Sequence, residues 1–140
     1  MTSTGAPYLD ALQAALAGEH AAVWASGRAA GELAGTRRRT ARRELDAHRS
    51  ARDDLHAQIT SLGGDPVQAA PAYVEPFAVD GAADGRRLMA YVNTALAATY
   101  ADVAAAARPA ARREAVASST RAGVRAVEWG ASADAFPGEG

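Results

Sequence analysis

The chain has 140 residues, 49% of them hydrophobic but only 6% aromatic, and 15 basic side chains stand against 16 acidic ones. That length suits one domain with a buried core. The charge balance argues against a general polyanion-binding surface, and the absence of cysteine excludes disulfides, thiolate metal sites and thiol catalysis. Every basic residue other than histidine is arginine, which with the abundance of alanine and glycine reads as a compositional bias, not a set of chosen phosphate contacts. Residues 1–7 carry no basic n-region, and no apolar run approaches the roughly 18–20 residues of a membrane span. The expectation is a cytoplasmic protein with no membrane partner.

The first predicted helix covers about residues 7–34, opening at Pro7, where a missing donor costs nothing. Leu9, Leu12, Leu16, Glu19, Val23, Ser26, Ala30 and Leu33 fall on one stripe at alternating three- and four-residue steps. Glu19 therefore stands in the seam of a bundle helix, where an ionised carboxylate is costly unless paired or coordinated. Gly35 is read as a left-handed cap and Thr36 as the N-cap of a second, antiparallel helix over about 37–62. Its stripe is Ala41, Leu45, His48, Arg52, Leu55, Ile59 and Leu62. At about 1.5 Å of rise per residue, His48 and Arg52 reach the height of Glu19 across the shared turn.

Gly63 and Gly64 stop the second helix, and Pro66, Pro71 and Pro76 keep residues 63–82 extended. Val67, Tyr73, Phe77 and Val79 between them point to a packed strap and not a loose linker. Such a stretch can span about 55 Å, so it can cross the bundle lengthwise and start a third helix parallel to the second. That helix is predicted over about 83–107, with Met89, Val92, Leu96, Thr99 and Val103 inward. Arg108-Pro109 breaks the chain again, and a fourth helix follows over about 109–133 with Val116, Thr120, Val124, Val127 and Ala131 inward. The fold class is all-α: an up-down, crossover, up-down bundle of four helices with ferritin-like connectivity, in one domain.

Three stretches, LQAALAGEH at 12–20, Ala47-His48-Arg49 with Asp54-Leu55 after it, and PAYVEPF at 71–77, make the chain resemble an actinobacterial family of ferritin-like domains of unknown function, DUF4439. The resemblance implies a fold and an ancestry but no activity. A ferritin-like di-metal centre needs a Glu from each of two helices and a Glu-x-x-His pair from each of the others. Glu19 and His48 could serve, but Leu45 occupies the position three before His48, Glu44 faces about 40° away from it, helix three has no glutamate and helix four no histidine. The expectation is a vestigial metal site kept as a buried polar cluster: Glu19, His48 and Arg52, closed by Tyr91, Thr94, Thr120 or Arg121.

His20 and His56 stand beside the stripes and are read as boundary or surface residues. Arg37, Arg38, Arg39, Arg42 and Arg43 form a dense basic run, but acidic residues follow closely and no aromatic side chains interleave, so nucleic-acid or ribosome binding is a minor alternative. Trp24 and Trp129 flank the stripes and are candidates for a homodimer contact. No nucleophile, acid–base pair or phosphate loop emerges. The sequence thus favours a non-catalytic scaffold, partner-binding or small-ligand-binding bundle without cofactor. The alternative is an iron- or manganese-binding protein or oxidoreductase using Glu19 and His48 with Tyr91 or Tyr100.

Overall fold

A computed structural model describes residues 5–132 as four helices: α1 (Ala6–Glu32), α2 (Gly35–Ser61), α3 (Ala82–Ala106) and α4 (Pro109–Glu128). The packed pairs are α1 with α2, α3 with α4, and α1 with α3 across the centre, while α2 and α4 scarcely touch. Two hairpins are thus joined face to face through α1 and α3. Close approach there depends on small residues: a Cβ on Gly18 would stand 2.9 Å from Leu96 Cδ2, and one on Gly85 would stand 3.3 Å from the Ala29 carbonyl.

The helix ends explain where each element stops. Gly63, at φ +82°, closes α2 in a Schellman motif: its own N–H bonds Thr60 O and that of Gly64 bonds Ile59 O. Gly130, at φ +110°, does the same for α4 with Val127 O, and Ala131 N–H bonds Ala126 O. Helix α4 therefore ends at Glu128, short of the predicted boundary at 133, which lies outside the described residues. Gly35 is left-handed as expected, at φ +57°, but it opens α2. The first helix is closed by the Leu33 N–H on Ala29 O and Ala30 O, and no side chain caps α2, so Thr36 does not take the predicted role. Arg38 reaches back to the carbonyls of Ala30 and Leu33, and Arg112 reaches back to those of Ala104 and Ala107, over the same eight- and five-residue separations. The two hairpins are thus pseudo-equivalent, and the shift carrying Arg38 onto Arg112 carries Glu19 onto Asn93 and Leu55 onto Trp129.

The strap, residues 62–81, runs the length of α1 as its proline spacing suggests. Gln13 holds its start through Asp65 O (2.7 Å) and Val67 N–H (2.9 Å), and the His20 ring meets Val67 O at 3.1 Å. Trp24 stacks on Tyr73 with ring centroids 5.5 Å apart. Arg28 binds Glu75 and Glu32, each at 2.7 Å, and donates to Val79 O; Glu32 then accepts the Gly81 N–H. A second face of α1 is thus spent on the strap, which delivers the chain to the far end so that α3 runs antiparallel to α1.

Two predicted stripes need correction. In α2 the inward positions are Ala41, Glu44, His48, Leu55 and Ile59, with Leu45 and Arg52 at the boundary. In α4 they are Ala115, Ala122, Gly123 and Ala126, whereas Val116, Val124 and Val127 are about half exposed. Small side chains let α4 lie close on α3, with Ser119 bonding Ala97 O across the contact. The larger valines do not fit that narrow seam.

Candidate functional site

Glu19 sits midway along α1 because Leu12, Leu16, Ser26 and Ala30 on the same stripe are buried, and the stripe takes it in with them; it is 1% exposed. His48, 2% exposed, meets it from α2 with Nδ1 at 3.0 Å from Oε1 and 3.4 Å from Oε2. A carboxylate accepts, so Nδ1 carries a proton and donates it to Glu19, which leaves Nε2 as the ring nitrogen outside the pair. That nitrogen is buried and has no hydrogen-bond partner among the described residues.

Arg52 was expected in this cluster but turns outward to Asp53 at 2.9 Å. Tyr91 is 54% exposed and packs edge-on against Phe77, Thr94 bonds its own helix at Ala90 O, and Thr120 is exposed. Of the predicted set, Glu19, His48 and Arg121 come together, and Tyr100, named only for the metal alternative, joins them. These four line an inner chamber of about 80 Å³ with Ser118 and Arg125. Tyr100 and Ser118 also line two outer lobes of about 360 and 300 Å³, so the three spaces form one cleft in the gap between α2 and α4. Burial, and then the Glu19 charge, push the Tyr100 hydroxyl above its ordinary range, while Arg121 and Arg125 pull it the other way. Neither arginine has an ion-pair partner among the described residues, though Asp54 and Glu114 line the outer lobe.

The second buried carboxylate escaped the sequence reading. Glu44, 6% exposed, accepts the Trp129 indole N–H at 2.7 Å on Oε2 and the Asn93 side-chain N–H at 3.2 Å on Oε1. Trp129 is 4% exposed, with Arg37 above its ring. Its ring is therefore taken up inside the chain, whereas that of Trp24 is half-buried against Tyr73 of the strap. The available signal was the four-residue step from Glu44 to His48, which puts both on one helix face. By the pseudo-equivalence of the hairpins, Trp129 fills on one side the space that Leu55 leaves open as the cleft on the other.

These placements bear on the metal reading. Both oxygens of Glu44 are occupied by N–H donors, which leaves Glu19 and His48. Among the described residues no group of three or more His, Asp or Glu side chains could hold a metal ion. The donor set does not fit the di-metal centre that the family resemblance brings to mind. The arginine run is also partly spent inside the fold: Arg37 lies on Trp129, Arg38 caps α1, and Arg39 and Arg43 bond threonines one turn back.

The fold and its interior define a four-helix bundle with a long crossover and two buried carboxylates, each held by N–H donors. The chain belongs to the DUF4439 family, described as a domain of unknown function, which matches residues 11–140. It is also similar to the crystal structure of a conserved hypothetical protein, rv2844, from Mycobacterium tuberculosis, at 29% identity and a TM-score of 0.86 over 91% of this chain and 97% of that one. A comparison with curated proteins gives no match. No described helix is long and apolar enough to cross a membrane.

Proposed function

We propose that this protein is a non-catalytic small-ligand-binding bundle of ferritin-like descent, with the cleft between α2 and α4 as its binding site. One observation carries the reading: the buried His48 Nε2 has no partner among the described residues and belongs to a side chain lining the chamber. Leaving a buried polar atom unpaired costs about 1–3 kcal/mol, a cost that a hydrogen-bonding group of a bound ligand would remove. The Glu19–His48 pair then acts as a fixed floor that orients the imidazole. Ser118 and Tyr100 share the chamber, but among the described residues neither hydroxyl is hydrogen-bonded to the imidazole, so binding without turnover is the economical reading.

Native mass spectrometry of gently purified protein tests this. The expected result is a small-molecule adduct that is lost when the chamber is filled by Ala122→Leu. A bare polypeptide that no small metabolite stabilises against heat would refute the reading. Stoichiometric iron or manganese that disappears in Glu19→Ala would replace it with the metal alternative.

A further inference from the structure

We infer that a second copy of this chain docks on the outer face of α4, the two helices running antiparallel about a two-fold axis at Thr120. The inference is independent of the α2–α4 cleft and of any ligand there.

Helix α4 carries apolar side chains on two faces. Ala115, Ala122, Gly123 and Ala126 are buried, while Val116, Val124 and Val127 are left 49%, 53% and 45% exposed. With Arg113 and Thr120 the three valines follow three- and four-residue steps, so they form one strip along the helix. Other charges of α4 are turned off that strip: Glu114, Arg121 and Arg125 line the space toward α2, and Arg112 is bound to Ala104 O and Ala107 O. Beside the strip lies a groove of about 460 Å³ lined by Ala97, Thr120, Gly123, Val124 and Val127. Thr120, Gly123, Val124 and Val127 stand at the four corners of a hole that accepts one side chain of a facing helix, and the missing side chain at Gly123 deepens it.

The order of residues along the strip selects the occupant. Turned end for end about Thr120, the strip matches itself: Val116 enters the hole beside the partner's Val124, and Arg113 reaches the partner's Glu128. Arg113 and Glu128 are exposed, and neither has an ion-pair partner among the described residues. Glu128 also stands at the C-terminus of α4, where the helix carbonyls disfavour an acid; an antiparallel partner brings a cation to it. Sliding one helix by a turn sets Val116 on the partner's Glu128, or Val124 on the partner's Arg112. The register at Thr120 is the one that joins apolar to apolar and plus to minus at once. A helix of 20 residues is about 30 Å long, and a strip of that length buries less than the roughly 1,200 Å² of a stable dimer. The pair is therefore reversible, with micromolar or weaker affinity.

The chain has no cysteine, so single cysteines introduced into the full chain report the register. Under mild oxidation Thr120→Cys is expected to link to itself, and Val116→Cys mixed with Val124→Cys to give mainly the mixed disulfide. Arg49→Cys, exposed on α2, should stay unlinked. Sedimentation equilibrium of the unaltered protein should show monomer passing to dimer between about 10 µM and 1 mM. Arg113→Glu and Glu128→Arg should each weaken the dimer about tenfold, because a two-fold pair repeats every like-charge contact, and the double reversal should recover most of the loss. A protein that stays monomeric throughout overturns the inference, and slow thiol labelling of Thr120→Cys in that monomer would assign the face to residues 133–140 of the same chain. A dimer indifferent to both charge reversals, or one that links Arg49→Cys as readily as Thr120→Cys, overturns it equally.

Discussion

Replacing Glu19 and His48 by leucine, singly and together, isolates the energetics of the interior. Both side chains are 2% exposed, and among the described residues each is the other's only side-chain hydrogen-bond partner. His48→Leu leaves a buried carboxylate with no donor among the described residues, a loss on the order of 3–5 kcal/mol. Glu19→Leu leaves a buried imidazole with two unpaired nitrogens, about 1–3 kcal/mol. The double variant removes both polar groups and fills similar volume with methyl groups, so its stability should fall within about 1–2 kcal/mol of the parent. The two single losses sum to about 4–8 kcal/mol, so the coupling energy is at least about 2 kcal/mol. The assay is urea unfolding of all four proteins, read as midpoints at constant slope. In heating experiments each kcal/mol corresponds to roughly 2–4 °C. If the single effects simply add, the pair is not an energetic unit and the reasoning about an oriented imidazole fails with it.

Three further outcomes follow from the geometry. Trp129→Phe keeps the ring but removes the N–H held 2.7 Å from Glu44, and should cost about 1–3 kcal/mol in urea unfolding, whereas a shape-only role for the indole would cost little. Tyr100 has its hydroxyl held above the ordinary range in the fold, so the native state keeps a proton that the unfolded chain gives up near pH 10. That stability is present below about pH 10 and drains away as pH rises further; Tyr100→Phe should flatten the alkaline limb of a stability–pH curve, and an unchanged limb would contradict the assignment. Glu32 is held below the usual carboxylate range, first by Arg28 and then by the Gly81 N–H, so its contribution is present above about pH 4 and is lost as pH falls through the lowered value. Limited acid proteolysis within residues 62–81 should accelerate accordingly, and Arg28→Ala should show that rate already at neutral pH.

The punctuation of the chain was readable because it is local. Two glycines after Leu62 and a proline at 109 terminate or open helices through their own backbone chemistry, and the proline-spaced strap announced its extended path. The α1 stripe was readable because leucines mark it. The α4 stripe was not, because valine carries more apolar area than alanine and a hydrophobicity pattern favours it, while the narrow contact with α3 selects Ala115, Ala122 and Ala126 for size. Glu44 was passed over for a different reason. Its donors come from Asn93, 49 residues away, and Trp129, 85 residues away, and no period along α2 can anticipate a hydrogen bond supplied from another hairpin. Arg52 failed in the opposite sense: the stripe placed it inward, but a guanidinium on a long stem reaches water, and it found Asp53.

The scarce contact between α2 and α4 makes the molecule mechanically lopsided. One flank is laced by the strap along α1, while the other is fastened chiefly at one end, where the indole of Trp129 meets Glu44. Thermal breathing should concentrate there, with α4 moving against α2 about that fastening while α1 and α3 stay packed. Backbone amides of α4 near Ser118 would then trade hydrogen for deuterium sooner than those of α1, and a molecule lodged in the gap would slow the exchange.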